Sequence, residues 1–136
     1  MIRINLLGSE RQKARKSFSV DLSAQTSLVC SLVLEHIEDL SFIFREAARV
    51  LAPNGRFLIH ELHPFRQYQG KKARFQRGEQ VTEIPAYIHH ISDFVNAASA
   101  SGLRLVALDE RWHPQDQPGK PPRLVSFVFE KQPVTP

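Results

Sequence analysis

Between Thr26 and Leu62 the hydrophobic pattern changes period twice, and that succession restricts the fold more than any other feature. Leu28-Val29-Cys30-Ser31-Leu32-Val33-Leu34 is a near-continuous apolar run. Such runs suit a strand buried on both faces, as in a parallel sheet, although periodicity alone also admits a buried helix start. From Asp39 the spacing becomes helical. Leu40, Ile43, Phe44, Ala47, Val50 and Leu51 recur at i, i+3, i+4, i+7, while Arg45, Glu46 and Arg49 fall mostly on the opposite side. Asp39 suits the N-cap, because its carboxylate accepts from unpaired first-turn amides. Pro53-Asn54-Gly55 stops the helix, and Phe57-Leu58-Ile59-His60-Glu61-Leu62 reads as the next strand, closed by Pro64. Strand, helix, turn and strand make a βαβ unit, whose right-handed crossover places the two strands side by side and parallel.

The rest of the chain extends this unit. Residues 1–25 are a poorly defined, polar and basic lead-in, except for Phe18-Ser19-Val20-Asp21-Leu22, a short strand ending in an acid. Residues 66–88 form a long basic connection carrying Tyr68 and Phe75, and connections of that length are usually functional or mobile. A second helix is expected from a Ser92 cap, with Phe94, Val95, Ala97 and Ala98 on its apolar face and Gly102 at its end. Strands over Leu103–Asp109 and Arg123–Glu130 follow, separated by a Pro/Gly loop from His113 to Pro122, and 132–136 is a tail. The expected architecture is α/β: one domain over 1–136, with a partial Rossmann-like sheet, mostly parallel, finished by an antiparallel C-terminal strand pair.

Composition excludes several classes. A length of 136 residues with 42% hydrophobic content and 24% charged residues fits one globular domain and not a disordered or fibrous chain. No apolar stretch approaches the roughly 20 residues of a membrane span. The single cysteine, Cys30, forms no internal disulfide, so stability rests on a packed core and a cytoplasmic location is expected. The net charge of +4 is concentrated in two runs, Arg11 to Lys16 and Arg66 to Arg77. Either run is a solvated segment or a surface for anions.

Tests for chemistry are mostly negative. His60-Glu61-Leu62-His63 departs from a zinc-protease motif, which needs histidines four apart on one helix face. Its spacing is three, on a strand end, so no metal is expected. His89-His90 reads as a structural or surface pair. Cys30, inside an apolar run, reads as a core residue and not a nucleophile. No Gly-x-Ser-x-Gly elbow occurs. The six glycines, at 8, 55, 70, 78, 102 and 119, are all isolated, so neither a dinucleotide fingerprint nor a P-loop can be built from them.

Cys30-Ser31-Leu32-Val33-Leu34-Glu35-His36-Ile37, Asp39-Leu40, Arg45 to Leu51 and Pro53-Asn54-Gly55-Arg56 together resemble class I S-adenosylmethionine-dependent methyltransferases of the small-molecule type 11 group. Glu61-Leu62-His63-Pro64-Phe65 and Ile91-Ser92-Asp93-Phe94 look like one bacterial subgroup of it. The resemblance runs from about Thr26 to Lys131 and covers the family's fourth strand, the following helix and the fifth strand. It implies S-adenosylmethionine as cofactor, with Asp21 matching the acid at the adenine amino group and Ser31 and Leu32 matching the strand end beside the cofactor. Glu35 and His36 match the loop near the substrate, and Glu61 and His63 join them as substrate-side candidates. No catalytic residue is implied, because methyl transfer in this family rests largely on positioning.

The resemblance also implies longer chains, whose N-terminal half carries the Gly-rich loop and the ribose acid. This sequence is expected to be a truncated form, weak or inactive alone. A second expectation is a methyltransferase completed by a partner chain or a swapped homodimer acting on a small molecule, since a half-sheet exposes a strand edge that invites pairing. A third is a non-enzymatic module that binds anions through the basic loop. Nucleic acid is a lesser expectation for that loop, which lacks the aromatic spacing of a stacking platform.

Overall fold

The computed structural model describes residues 25–70 and 74–134, without the side chains of residues 74–77 and 83. The expected strand around Asp21 lies outside the described residues. The elements in chain order are β1 (Gln25–Ser31), a 3-10 turn (Leu34–His36), α1 (Leu40–Val50), β2 (Leu51–Leu62), α2 (Pro64–Tyr68), β3 (Arg74–Arg77), β4 (Gln80–Glu83), α3 (Ile91–Ala100), β5 (Leu103–Arg111) and β6 (Leu124–Lys131).

The main sheet has the order β1-β2-β6-β5. β1 and β2 are parallel, while β6 runs antiparallel to both β2 and β5. Three of the four strands therefore point the same way, and only β6 is reversed. This is the expected α/β architecture, a mostly parallel Rossmann-like sheet with an antiparallel C-terminal pair.

The βαβ unit forms as its pattern demands. The Asp39 carboxylate caps α1 by accepting from the Ser41 amide at 2.9 Å. Leu40, Phe44 and Ala47 are the buried stripe of α1. Pro53-Asn54-Gly55 does not separate helix from strand as a free turn; it forms an irregularity inside β2, where the register with β1 shifts between Gln25 and Ser27. Asn54 takes φ 63° there. Gly55 is required by close approach, since a Cβ would lie 2.8 Å from the Ala52 carbonyl oxygen.

The helices α1 and α3 pack together, and Phe residues fill the space beneath them. Phe44 meets Phe57 and Phe129 edge-on at 5.5 and 5.4 Å, and Phe94 stacks on Phe127 at 4.8 Å. Strand β2 alternates: Phe57, Ile59 and Glu61 are buried, and His60 is exposed. β6 alternates likewise, with Val125, Phe127 and Phe129 buried.

Four expectations change. β1 spans Gln25–Ser31, not Leu28–Leu34, because Leu32 adopts φ 54° and ends the strand. Nor is β1 buried on both faces: Val29 is 64% exposed, since β2 is its one neighbour among the described residues. The stretch read as a long connection contains α2 and the β3–β4 hairpin, which turns at Gly78 with φ 65°. Finally, α3 takes His90 as N-cap instead of Ser92, with the Asp93 carboxylate accepting from the His90 amide at 2.7 Å.

Candidate functional site at the carboxyl end of the sheet

The parallel strands β1 and β2 end together, and the segments that follow them interlock. In open α/β sheets this end is where ligands bind. The Leu32 amide donates to the His60 carbonyl at 2.8 Å, which fixes the left-handed residue that turns the chain out of β1.

Glu61, at the end of β2, holds the turn from below. Its Oε1 accepts from the amides of Val33 and Leu34, both at 3.1 Å. Successive amides at the start of a 3-10 turn form a concave donor set that suits an anionic oxygen. Glu61 is 3% exposed. Burial pushes its carboxyl above the ordinary carboxylate range, the two amides pull it back, and the neighbouring Glu35 raises it further. The second oxygen, Oε2, is buried and makes no hydrogen bond. A cavity of about 10 Å³, the size of one water molecule, lies beside it among Glu35, Gln67, Tyr87, His89 and Phe94.

Glu35 is buried over this cavity, and its Oε2 accepts from Gln67 Nε2 at 3.4 Å. Its carbonyl accepts from the Tyr87 amide at 2.7 Å. His36 donates from Nδ1 to the Pro85 carbonyl at 2.8 Å, which leaves Nε2 3.6 Å from Glu35 Oε1. His89 Nε2 donates to the Ile37 carbonyl at 2.7 Å. The segment from Pro85 to His89 is thus tied along the 3-10 turn.

His63 stands apart. Its Nδ1 accepts from the Phe65 amide at 3.1 Å and caps α2, so Nε2 carries the proton and donates to Glu110 Oε1 at 2.8 Å. Both nitrogens are engaged, and His63 ties β2 to β5. His60 points the other way and bonds the Ser126 hydroxyl at 2.7 Å. Cys30 is half-buried on β1. Desolvation, reinforced by the Glu61 charge, raises its thiol pKa, which disfavours the reactive thiolate.

The sequence-derived candidates therefore divide. Glu35, His36 and Glu61 converge on the post-β1 turn, with Ser31 and Leu32 at its start. His63 is committed to a separate contact, and Asp21 lies outside the described residues. Gln67, Tyr87 and Glu110 carry no local signal, because they meet their partners only through contacts 20 to 52 residues apart in sequence. Of the basic loop, Lys71 and Lys72 and the side chains of Arg74 and Arg77 lie outside the description.

Against this geometry, the family model described as "Methyltransferase domain" matches residues 13–59. A Listeria monocytogenes protein assigned as an S-adenosylmethionine-dependent methyltransferase superposes with TM-score 0.63 at 16% identity, over 96% of this chain and 72% of that one. An S-adenosylmethionine-dependent methyltransferase from Mesorhizobium loti gives TM-score 0.61 at 18% identity, over 82% and 68%. A Haloferax volcanii protein assigned as a methyltransferase, solved in complex with the Trm112 methyltransferase activator, gives 0.58 at 12% identity, over 84% and 60%. The chain thus spans about two thirds of the length of these structures. No curated protein matches it. The fold is a Rossmann-like α/β sheet. More narrowly, the fold is the one shared by the S-adenosylmethionine-dependent methyltransferases to which this chain is similar.

The described residues fit such a cofactor on one side only. Leu32 and Val33 are 50% and 40% exposed at the end of β1 and offer an apolar wall, with the Ser31 hydroxyl beside it. S-adenosylmethionine carries a carboxylate, an ammonium and a ribose diol, each of which needs a polar partner. One hydroxyl does not supply them, so these residues make a wall and not a complete site.

Proposed function

We propose that this chain takes part in S-adenosylmethionine-dependent methyl transfer to a small molecule, contributing the acceptor-side half. Alone it is weak or inactive, and a second copy of the chain or a complementing chain completes it. The observation that carries this reading is the free side of β1: among the described residues it pairs with β2 alone, and its Val29 is turned to solvent. An open edge on a strand of this apolar type favours pairing with another chain. The absence of any Gly-x-Gly in the sequence supports the same reading for the cofactor, since close backbone approach to it needs such a turn. The activator complex of the Haloferax relative is consistent with completion by a partner.

In this reading Ser31 and Leu32 border the cofactor, with Asp21 at its adenine. Glu61 positions the turn that carries Glu35 and His36 toward the acceptor, and His63 anchors α2 beside them. The single cysteine fits a reducing cytoplasmic setting. Among the described residues no helix is long and apolar enough to cross a membrane.

Light scattering after size exclusion, paired with calorimetry against S-adenosylmethionine, tests the proposal. The expected result is self-association or capture of a complementing chain, with no submillimolar cofactor binding by the monomer. Submillimolar binding by a verified monomer would overturn it. So would a chain that stays monomeric at high concentration and binds neither cofactor nor partner.

A further inference from the structure

Beyond the β1–β2 site, a second cleft opens at the same end of the sheet, between α2 and the loop joining β5 to β6. Its volume is about 190 Å³, and Arg66, Gln69, Asp116, Lys120, Pro121 and Arg123 line it. Three cationic side chains face one carboxylate there, and that carboxylate is already committed. Arg123 donates to both oxygens of Asp116, with Nε to Oδ2 at 2.8 Å and Nη2 to Oδ1, and Asp116 Oδ2 also accepts from the His113 amide at 2.9 Å. The Arg123 guanidinium holds the Asp116 carboxyl down at about 2, so it stays ionised and engaged at neutral pH. Among the described residues neither Arg66 nor Lys120 has a carboxylate in ion-pair contact. The cleft therefore carries a net positive charge, with Arg66 and Lys120 in excess of the Asp116–Arg123 pair, although Lys120 also helps hold Asp116 ionised.

The loop is held in shape for this. The Trp112 indole donates to the Lys120 carbonyl at 2.7 Å, and the Arg123 amide donates to the Arg111 carbonyl at 2.7 Å. Arg66 projects from α2, the short helix that His63 caps and ties to β5. A cleft with braced walls, a net positive charge and room for a few heavy atoms has the chemistry of an anion subsite.

We propose that this cleft binds the anionic group of a small molecule, a phosphate monoester or a carboxylate, through Arg66 and Lys120, with the Asp116–Arg123 pair as its rigid floor. That the anion belongs to the methyl acceptor rests on the methyl-transfer reading. The binding itself does not.

The test uses the full ¹⁵N-labelled chain, titrated with inorganic phosphate and separately with succinate at constant ionic strength set by sodium chloride. The Arg66 and Arg123 Nε–H signals and the Trp112 indole N–H report on the cleft, and Trp112 is the only tryptophan. Saturable shifts with a midpoint of about 1–10 mM are expected. The midpoint should rise about ten-fold in Arg66→Gln and in Lys120→Gln, substitutions at the cleft rim that leave the far-UV spectrum unchanged. Saturation by phosphate alone identifies a phosphate ligand, and saturation by succinate alone a carboxylate. Shifts that chloride reproduces, shifts unaltered in both variants, or no saturable shift with either anion would overturn the site. Phosphate binding by a chain that stays monomeric at high concentration and takes up neither cofactor nor partner would keep this site while removing the methyl-transfer reading.

Discussion

The two faces of the four-stranded sheet are made by the same strands and have opposite surroundings. Beneath α1 and α3, Phe57, Ile59, Val125, Phe127 and Phe129 are all at most 1% exposed. On the other face, the register aligns Val29, Leu58, Val128 and Ala107 in one row across all four strands. Val29 and Ala107 in that row are exposed, and Leu58 and Val128 are only half-buried. An apolar row at the middle of a sheet face is uncommon on a surface meant for water. The covered face accounts for the domain's stability, whereas the other face and the β1 edge beside it have no covering element among the described residues.

The largest expected effect breaks the covered face. Phe44 bridges α1 to β2 and β6 through its two edge-on rings, and it is completely buried. Phe44→Ala should cost about 3–5 kcal/mol, the transfer of the ring plus the cavity it leaves. Urea denaturation followed by far-UV circular dichroism measures it. A cost near 1 kcal/mol would mean that α1 does not seal this face as closely as its contacts indicate.

A second, intermediate effect sits where the two faces meet the site. Glu61 lies on the covered side of β2, yet it spends one oxygen on the turn after β1. Glu61→Leu should cost about 2–4 kcal/mol, because the buried Leu34 amide and the partly buried Val33 amide lose their acceptor. Glu61→Gln keeps an acceptor and should cost less than about 1 kcal/mol. The pH dependence separates the charge from the shape. Burial raises the folded carboxyl above its ordinary 4.5, so the folded state keeps a proton that the unfolded state has released. Stability from this group is therefore greatest below the ordinary value and falls as pH rises toward the raised one. Stability curves of Glu61→Gln should lack that decline. If wild type and Glu61→Gln fall in parallel between pH 4.5 and 7, the carboxyl is not shifted by its burial.

How far the sequence showed all this follows from the range of the interactions. The βαβ unit was legible because its signals are local: the Asp39 cap acts over two residues, and the apolar spacing of α1 repeats every turn. The reversed β6 was legible in part, since two alternating strands separated by a Pro/Gly loop suggest an antiparallel pair, but not that β6 inserts between β2 and β5. The burial of β1 was misread because an apolar run records what a strand is suited to and not which neighbours it has. The site was legible as a set of residues on strand ends. Its wiring was not, because Glu61 reaches Val33 and Leu34 from about 28 residues away and His63 reaches Glu110 from 47. The Pro85–His89 strap carries no pattern of its own, and its ties to the turn are made mostly by backbone groups, which every residue possesses.

The smallest expected effect is also the sharpest test of the bare face. Val29 is the central apolar residue of β1, and its side chain meets solvent. If nothing covers it in solution, Val29→Glu changes the stability of the fold by no more than about 0.5 kcal/mol, as for other exposed positions. The proposed completion by a partner predicts a different readout for the same variant. A carboxylate placed in a desolvated interface is costly, so association should weaken while the unimolecular melt stays put. Sedimentation equilibrium and denaturation, each at two protein concentrations, separate these terms. A concentration-dependent loss above about 1.5 kcal/mol would mean that another chain already lies over this face. A loss of that size independent of concentration would mean that the chain's own residues cover it, and the contrast between the two faces would then disappear.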